Sequence, residues 1–517
     1  MGVHIPITLP DIIRNALSVN GDRIVVVMGD VRWSGRHLAR TSYQMARALA
    51  RIGLNKGDGV ACLLPNCPEF VAFHFACGLL GLRQTFLNPL NSIEAGNCML
   101  IAGEVKALVS HDDLAERAVS MLVGEASGVR LLSFGGRAAQ DLAVLAENES
   151  AAPIHAALHP TDAFALGFTS GSTGKPKGVL QSQRVIVQLI MMTLANWEWP
   201  QTIRSLISIP ITHAGGTMIL PTLLRGGTLH IENGFDPQRV LATIARERIT
   251  ATIGVPTMIY KLLEHIGEAG SDVSSLQSFF YGASPISAAR LEEAMSVFGP
   301  IFCQFYGQTE APMNVTYLSR ADHDLNRPHL LESCGQAQAG ALVGLLDEAG
   351  ADVGVDVEGE ICVRGPLVME GYWKDDEANR TAMEFGWLHT GDIGRRDADG
   401  YYYIVDRKKD MIVSGGFNVF PRDVEQILSS HPRISQVAVI GIPHDVWGEA
   451  VHAVVVPREG SALSFEELAT FVRDRKGAIQ SPKSIEFVAS LPLTPVGKVD
   501  KTVLRAPHWA GRARRVN

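Results

Sequence analysis

The stretch "FTSGSTGKPKGV", Phe168 to Val179, sets three glycines, two serines, two threonines and two lysines in twelve residues. Glycine lets a backbone turn its N–H groups close to a ligand, and hydroxyls and ammonium groups add donors, so a phosphate chain suits this loop. The Walker spacing is excluded: Gly171 and Gly174 stand three apart, and Lys175 is followed by Pro176, which resists the helix a Walker loop starts. A flexible Gly/Ser linker is the competing reading, but two lysines and a proline are out of place in one. The loop follows "AFALGF", a strand-like run. It therefore falls at the carboxyl end of a strand, where open α/β sheets bind ligands.

Outward from the loop, residues 38 to 307 alternate short β-branched runs with helical patterns. "GVACLLPN", "ALVSH", "RSLISIPI", "TLHIE", "ATIGVP", "LQSFFYGA" and "IFCQFYG" read as strands. "DPQRVLATIARERI" reads as a helix with Asp236 as cap, Pro237 in the first turn, and Val240, Leu241, Ile244 and Ala245 on one face. Such alternation predicts an α/β fold of helix-covered, largely parallel sheets. From about 335 to 406 short strands are punctuated by "DEAG", "VEGE" and "DADG", which predicts a β-barrel-like subdomain without helices. After "DRKKD" the pattern becomes compact α+β, with Ser464 and Glu467 forming a capping box. The expected organisation is a large N-terminal domain over 1–409 and a small, mobile α+β domain over 410–517.

Composition narrows the function. At 517 residues the chain exceeds one ordinary core. A net charge of −8 offers nothing to attract a polyanion, so nucleic acid is not an expected partner. "MGVHIPI" is no charged-then-apolar leader, and the most apolar run, Phe70 to Leu82, is shorter than the roughly 20 residues a span needs and contains His74. No stable membrane insertion and a cytoplasmic setting are expected. Seven cysteines without a CxxC pair suggest reduced core residues rather than a disulfide or zinc framework.

Downstream lie "FYGQTE" (Phe305 to Glu310), "GEICVRGPLVMEGYW" (Gly359 to Trp373), "WLHTGDIG" (Trp387 to Gly394), "VDRKKDMIVSGGFNVFPRDVE" (Val405 to Glu425) and "PLTPVGKVDK" (Pro492 to Lys501). Tyr306, at a strand end, could stack on adenine. Thr309 could donate to a phosphate, and Glu310 could hold Mg²⁺, which prefers oxygen ligands. Asp392 could accept hydrogen bonds from ribose hydroxyls, and Arg407 could donate to the ribose or the phosphate. In this order and spacing the segments resemble the adenylate-forming enzymes: acyl-CoA synthetases, peptide-synthetase adenylation domains and firefly luciferase.

The resemblance implies ATP, Mg²⁺ and coenzyme A as cofactors and a small-molecule carboxylic acid as substrate. It makes Thr169, Ser170, Gly171, Ser172, Thr173, Gly174, Lys175 and Lys177 the phosphate loop, with Thr169 and Glu310 toward the metal. Gly282, Ala283, Ser284 and Gly307 complete the nucleotide site. Lys498 is the adenylation lysine, Lys409 the hinge, and Gly415 and Gly416 line the thiol's path. An acyl carrier protein is the alternative thiol. The resemblance also leaves room for a homodimer and for a lysine acetyltransferase acting on Lys498.

His213, in "ITHAGG", stands where peptide-synthetase domains have an Asp for the substrate ammonium, which disfavours an amino acid. It is taken, with Phe305, Gly307, Pro312 and Met313, as lining the acyl pocket. Many fatty acyl-CoA synthetases have Gly at the position of Phe305. A phenyl ring there favours short, medium, branched or ring-containing acids over long straight chains, with a long-chain fatty acid as the alternative.

Overall fold

The computed structural model describes residues 6–136, 140–170, 176–267, 272–284, 286–407, 410–414, 417–444, 447–494 and 497–510. Two large sheets build the N-terminal domain. In the eight-stranded sheet Gly59–Leu63, Arg83–Phe86, Val105–His111 and Arg130–Phe134 are parallel; Ala163–Ser170 joins them beside Arg83–Phe86, and Pro176–Ser182 returns antiparallel. In the nine-stranded sheet Thr228–Ile231, Arg204–Ile207, Ala251–Gly254, Ser278–Gly282 and Phe302–Gln308 run parallel, and Ala311–Leu318 turns back on the last. All the runs with strand-like texture are strands.

Helix Pro68–Leu80 explains the most apolar run of the sequence. Phe70, Phe73 and Phe75 are almost wholly buried, and they share one core with Val60, Ala107 and Leu132 of one sheet and Ile207, Leu229, Ile253 and Phe280 of the other. Each phenyl ring so placed contributes about 1.5–3 kcal/mol. Its histidine stays neutral: His74 Nδ1 is 3.0 Å from Gln84 Oε1, and burial lowers its pKa to about 4. Among the described residues no helix is long and apolar enough to cross a membrane.

Helix Pro237–Glu247 starts where expected, Asp236 accepting from the Arg239 N–H at 2.8 Å. Val240, Leu241 and Ile244 are buried but Ala245 is only half-buried, and Glu247 is drawn inward by Arg32, Arg204 and Arg246. Six cysteines are buried; Cys98 is exposed, contrary to a uniformly core role.

Between 335 and 406 lies a four-stranded antiparallel sheet of Leu342–Leu346, Gly359–Arg364, Leu388–Arg396 and Tyr402–Arg407. Its two edge strands are not paired with each other. Contrary to expectation it also contains a helix, Asp376–Ala382, capped by Asp375. Only Ala378 of that helix is buried, so it has no apolar period to read.

The smaller C-terminal domain has a five-stranded sheet and its own core, in which Val424, Leu428, Val451, Val455, Leu468 and Val472 meet. Ser464 caps helix Phe465–Lys476 through the Glu467 N–H. The Glu467 carboxylate does not complete the box. It pairs instead with Arg433 and with His431, 3.2 Å away, because an ion pair outcompetes a second cap bond.

Candidate active site

Strands from both large sheets bring their ends together. In the hairpin of Ala163–Ser170 and Pro176–Ser182, Thr169 lies opposite Lys177. Gly171, Ser172, Thr173, Gly174 and Lys175 lie outside the described residues, and Ser170 is described in its backbone alone. Gln181, on the same hairpin, donates to the Thr309 carbonyl at 2.8 Å and so ties the two sheets. A Cβ on Gly167 would come 3.0 Å from the Thr309 methyl, so Thr169, two residues further on the same strand face, is directed along the same edge.

Glu310 is 8% exposed, and its Oε1 accepts from the Tyr372 hydroxyl at 2.9 Å. The Lys177 ammonium sits 5.2 Å above the Tyr372 ring. Tyr372 thus joins the hairpin of Thr169 and Lys177 to the acidic group. It was not singled out in the sequence, although it stands in the quoted "GYW". A buried carboxylate is an oxygen donor that suits a hard cation.

A second group centres on Asp392, which is 4% exposed. Its Oδ2 accepts from the Tyr306 hydroxyl at 2.7 Å and its Oδ1 from Arg407 Nε at 3.0 Å. The sheet register makes this pairing, since Asp392 lies directly across from Arg407. Each carboxylate oxygen keeps a further lone pair for a ligand hydroxyl. Burial first, and then the Asp392 charge, hold the Tyr306 phenol protonated. Asp392, in turn, strengthens the charged form of Arg407.

Lys498 arrives from the C-terminal domain. The Gly497 carbonyl accepts from the Thr257 hydroxyl at 3.0 Å, and the Lys498 N–H donates to Thr494 Oγ1 at 3.1 Å. Burial, helped by the Arg407 charge and opposed by Asp392, lowers the Lys498 pKa to about 8. His213 presents surface to the cleft yet is walled by protein. Its pKa falls to about 4, through burial first and the Lys498 charge second, so the imidazole is neutral. Its Nδ1 is 2.9 Å from Thr212 Oγ1.

The turn from Gly307 to Met313 depends on close backbone approach. A Cβ on Gly307 would lie 2.3 Å from the Met313 nitrogen and 2.6 Å from the Ala311 carbonyl oxygen. Met313 takes φ +59°, and its sulfur accepts from Thr217 Oγ1 at 3.0 Å; Pro312 is buried beside it. Gly307→Ala is therefore expected to cost a few kcal/mol of stability, because backbone rather than a flexible side chain must yield. Urea denaturation of the two proteins measures it, and equal midpoints would contradict the close approach.

Ala283 has φ +71° just after the strand Ser278–Gly282, and Ser284 follows at the strand end. Phe305 is 4% exposed and stacks on Trp197, with ring centroids 5.3 Å apart and planes 13° apart. Trp197 also donates to Asn314 Oδ1 at 2.8 Å. Trp197 was missed in the sequence. The signal was "NWEWP", two of the chain's seven tryptophans within three residues. Lys409, Gly415 and Gly416 lie outside the described residues, between the strands Tyr402–Arg407 and Phe417–Val419.

The profile of the AMP-binding enzyme family matches residues 13–373, and that of the AMP-binding enzyme C-terminal domain matches 423–498. A medium/long-chain-fatty-acid–CoA ligase of Mycobacterium tuberculosis is 43% identical over 97% of this chain and 90% of its own. A feruloyl-CoA synthase of an Amycolatopsis species is 35% identical over 90% and 92%. Among solved structures, an amide bond synthetase from Marinactinospora thermotolerans superposes with a TM-score of 0.87 at 32% identity, covering 96% of this chain and 99% of that one.

Proposed function

The chain belongs to the AMP-binding enzyme family and is an AMP-forming acid–CoA ligase using ATP and CoA, and on that premise we propose how its cleft divides the work. The observation that carries the reading is the docking of the Lys498 segment, whose Gly497 carbonyl accepts from Thr257 at 3.0 Å and whose lysine comes within electrostatic reach of Arg407, Asp392 and His213. In the first half-reaction the substrate carboxylate attacks the α-phosphorus of ATP and pyrophosphate leaves. The Lys498 ammonium, bridging carboxylate and α-phosphate, offsets the charge that grows there. Thr309 donates to the same phosphate, and the hairpin of Thr169 and Lys177 receives the leaving pyrophosphate. Glu310 and Thr169 would hold Mg²⁺, which supplies charge neutralisation on the phosphate oxygens. Asp392 and Arg407 hold the ribose, Tyr306 keeps Asp392 aimed, and the backbone of Gly282 to Ser284 and Gly307 borders the base.

In the second half-reaction a thiol attacks the acyl carbonyl and AMP leaves. Both reactions need the space Lys498 fills, so the domain carrying it withdraws by turning about Lys409, and Gly415 and Gly416 admit the thiol. Acetylation of Lys498 by a lysine acetyltransferase would remove the charge the first step uses. A cytoplasmic setting and a homodimer complete the proposal.

For the acid, the stacked Phe305 and Trp197 rings support a short, medium, branched or ring-containing substrate, with His213 and Met313 as further walls. The name of the mycobacterial relative favours a second reading, a longer fatty acid. A panel of carboxylic acids assayed for pyrophosphate release, with and without CoA, decides between them. Acid-dependent release with CoA-thioester formation is expected. Release without thioester formation on free CoA would point to a carrier-protein thiol.

The lowered pKa of Lys498 gives a pH test with a definite sign. The ammonium is the working form, so kcat/KM for adenylation is expected to fall as pH rises through about 8. Lys498→Arg, slower but not titrating in that range, should lose the descending limb. A wild-type profile without that limb would show that Lys498 is not the group required.

A further inference from the structure

Away from the cleft, three side chains of the C-terminal domain converge without a partner for all of them. His452 lies on the strand Gly448–Pro457, Glu486 on Ser484–Phe487, and His508 near the end of the helix Lys501–Trp509. One ligand atom from each falls within 4.8 Å of the others. His452 is 5% exposed, and its Nε2 is buried with no hydrogen-bond partner. The nearest carboxylate oxygen, on Glu486, is 3.8 Å away, too far for a hydrogen bond. The His508 ring lies 5.0 Å from that of His452, centroid to centroid.

The other nitrogen of His452 has a hydroxyl beside it. Nδ1 is 2.7 Å from Ser484 Oγ. In the tautomer that donates to this hydroxyl, the Nε2 lone pair faces the Glu486 carboxylate, and two acceptors face to face repel. A cation bound between them gives the buried Nε2 the partner it lacks. Metal-ligating histidines characteristically donate their second N–H to an outer oxygen, and Ser484 Oγ stands within reach to accept it.

We propose that His452, Glu486 and His508 form a zinc site that clips the helix Lys501–Trp509 onto the C-terminal sheet. Two imidazoles and a carboxylate are a ligand set zinc accepts, with a fourth position left for water. Around a tetrahedral zinc the ligand atoms stand about 3.3 Å apart, so the group has only to close slightly. Glu486 is more than half exposed and His508 partly so, which gives the ion a way in. The helix begins at the Asp500 cap, two residues after Lys498. Zinc binding therefore steadies the segment that carries Lys498.

The test uses the full chain, stripped with a chelator and dialysed metal-free, then titrated with zinc chloride by calorimetry while amide exchange is followed. One zinc per chain is expected at this site, with slower exchange over residues 501–509. Glu486→Gln and His508→Ala, both at accessible positions, should each weaken that binding by about tenfold or more, since even supporting residues cost as much. Circular dichroism verifies that the variants fold. Magnesium, a hard ion that prefers oxygen, should leave the exchange unchanged. No saturable zinc binding by the wild type, or equal binding by wild type and both variants, overturns the site whatever the ligase activity does.

Discussion

Replacing Lys498 with alanine slows acid-dependent pyrophosphate release by about a hundredfold or more, the scale on which a single electrostatic contact to the transition state is lost. The same variant converts supplied acyl-adenylate and CoA to thioester at the unmodified rate. The contacts that seat the segment make this separation expected. Thr257 holds it through the Gly497 carbonyl, and Thr494 holds it through the Lys498 N–H, so neither depends on the lysine side chain. Removing the ammonium ends both its repulsion with Arg407 and its attraction to Asp392, which oppose each other. The docked conformation therefore survives while its charge is gone. Quenched-flow measurement of each half-reaction tests this, and an equal fall in both would remove Lys498 from the adenylation step.

Phe305→Gly shifts substrate preference toward longer acids. The ring stacks on Trp197 and covers the position where a Gly282 side chain would stand, so its loss opens space at the centre of an aromatic group that includes Phe280. Each methylene newly buried contributes about 0.8 kcal/mol at most, about fourfold in kcat/KM, so three methylenes give a change in ratio of about sixtyfold. Stability falls by about 3–5 kcal/mol, because a buried phenyl is deleted and a glycine enters a strand. Ratios of kcat/KM for two acids on one sample cancel the inactive fraction, and Phe305→Leu gives an intermediate, better-packed comparison. An unchanged chain-length profile in folded protein would mean that the ring only supports the core, and the preference for compact acids would lose its basis.

The strands and the order of the site motifs were legible in the sequence because both rest on local patterns. β-branched runs between helices read directly as parallel strands, and "FYGQTE" stands at a strand end where ligand groups collect. Long-range pairing left no such mark. Tyr372 reaches Glu310 and Tyr306 reaches Asp392 across 62 and 86 residues of chain, distances at which nothing in residue spacing identifies a partner. The capping box at Ser464 read correctly as a helix start and failed only in Glu467, whose carboxylate has stronger partners on another element. The helix Asp376–Ala382 was missed for the opposite reason: it buries almost nothing, and periodicity detects helices by what they bury.

The helix Pro68–Leu80 has a consequence for recombining this protein with its relatives. It has no polar face to show to water, and both large sheets pack on the core it belongs to. A fragment with only one of those sheets would leave that apolar cylinder uncovered, so a crossover placed between them yields an insoluble chain. The sheet that carries Lys498's domain closes a core of its own. A junction after Arg407 therefore exchanges a self-sufficient part, and chimeras cut there can trade one C-terminal domain for another while leaving both large sheets intact.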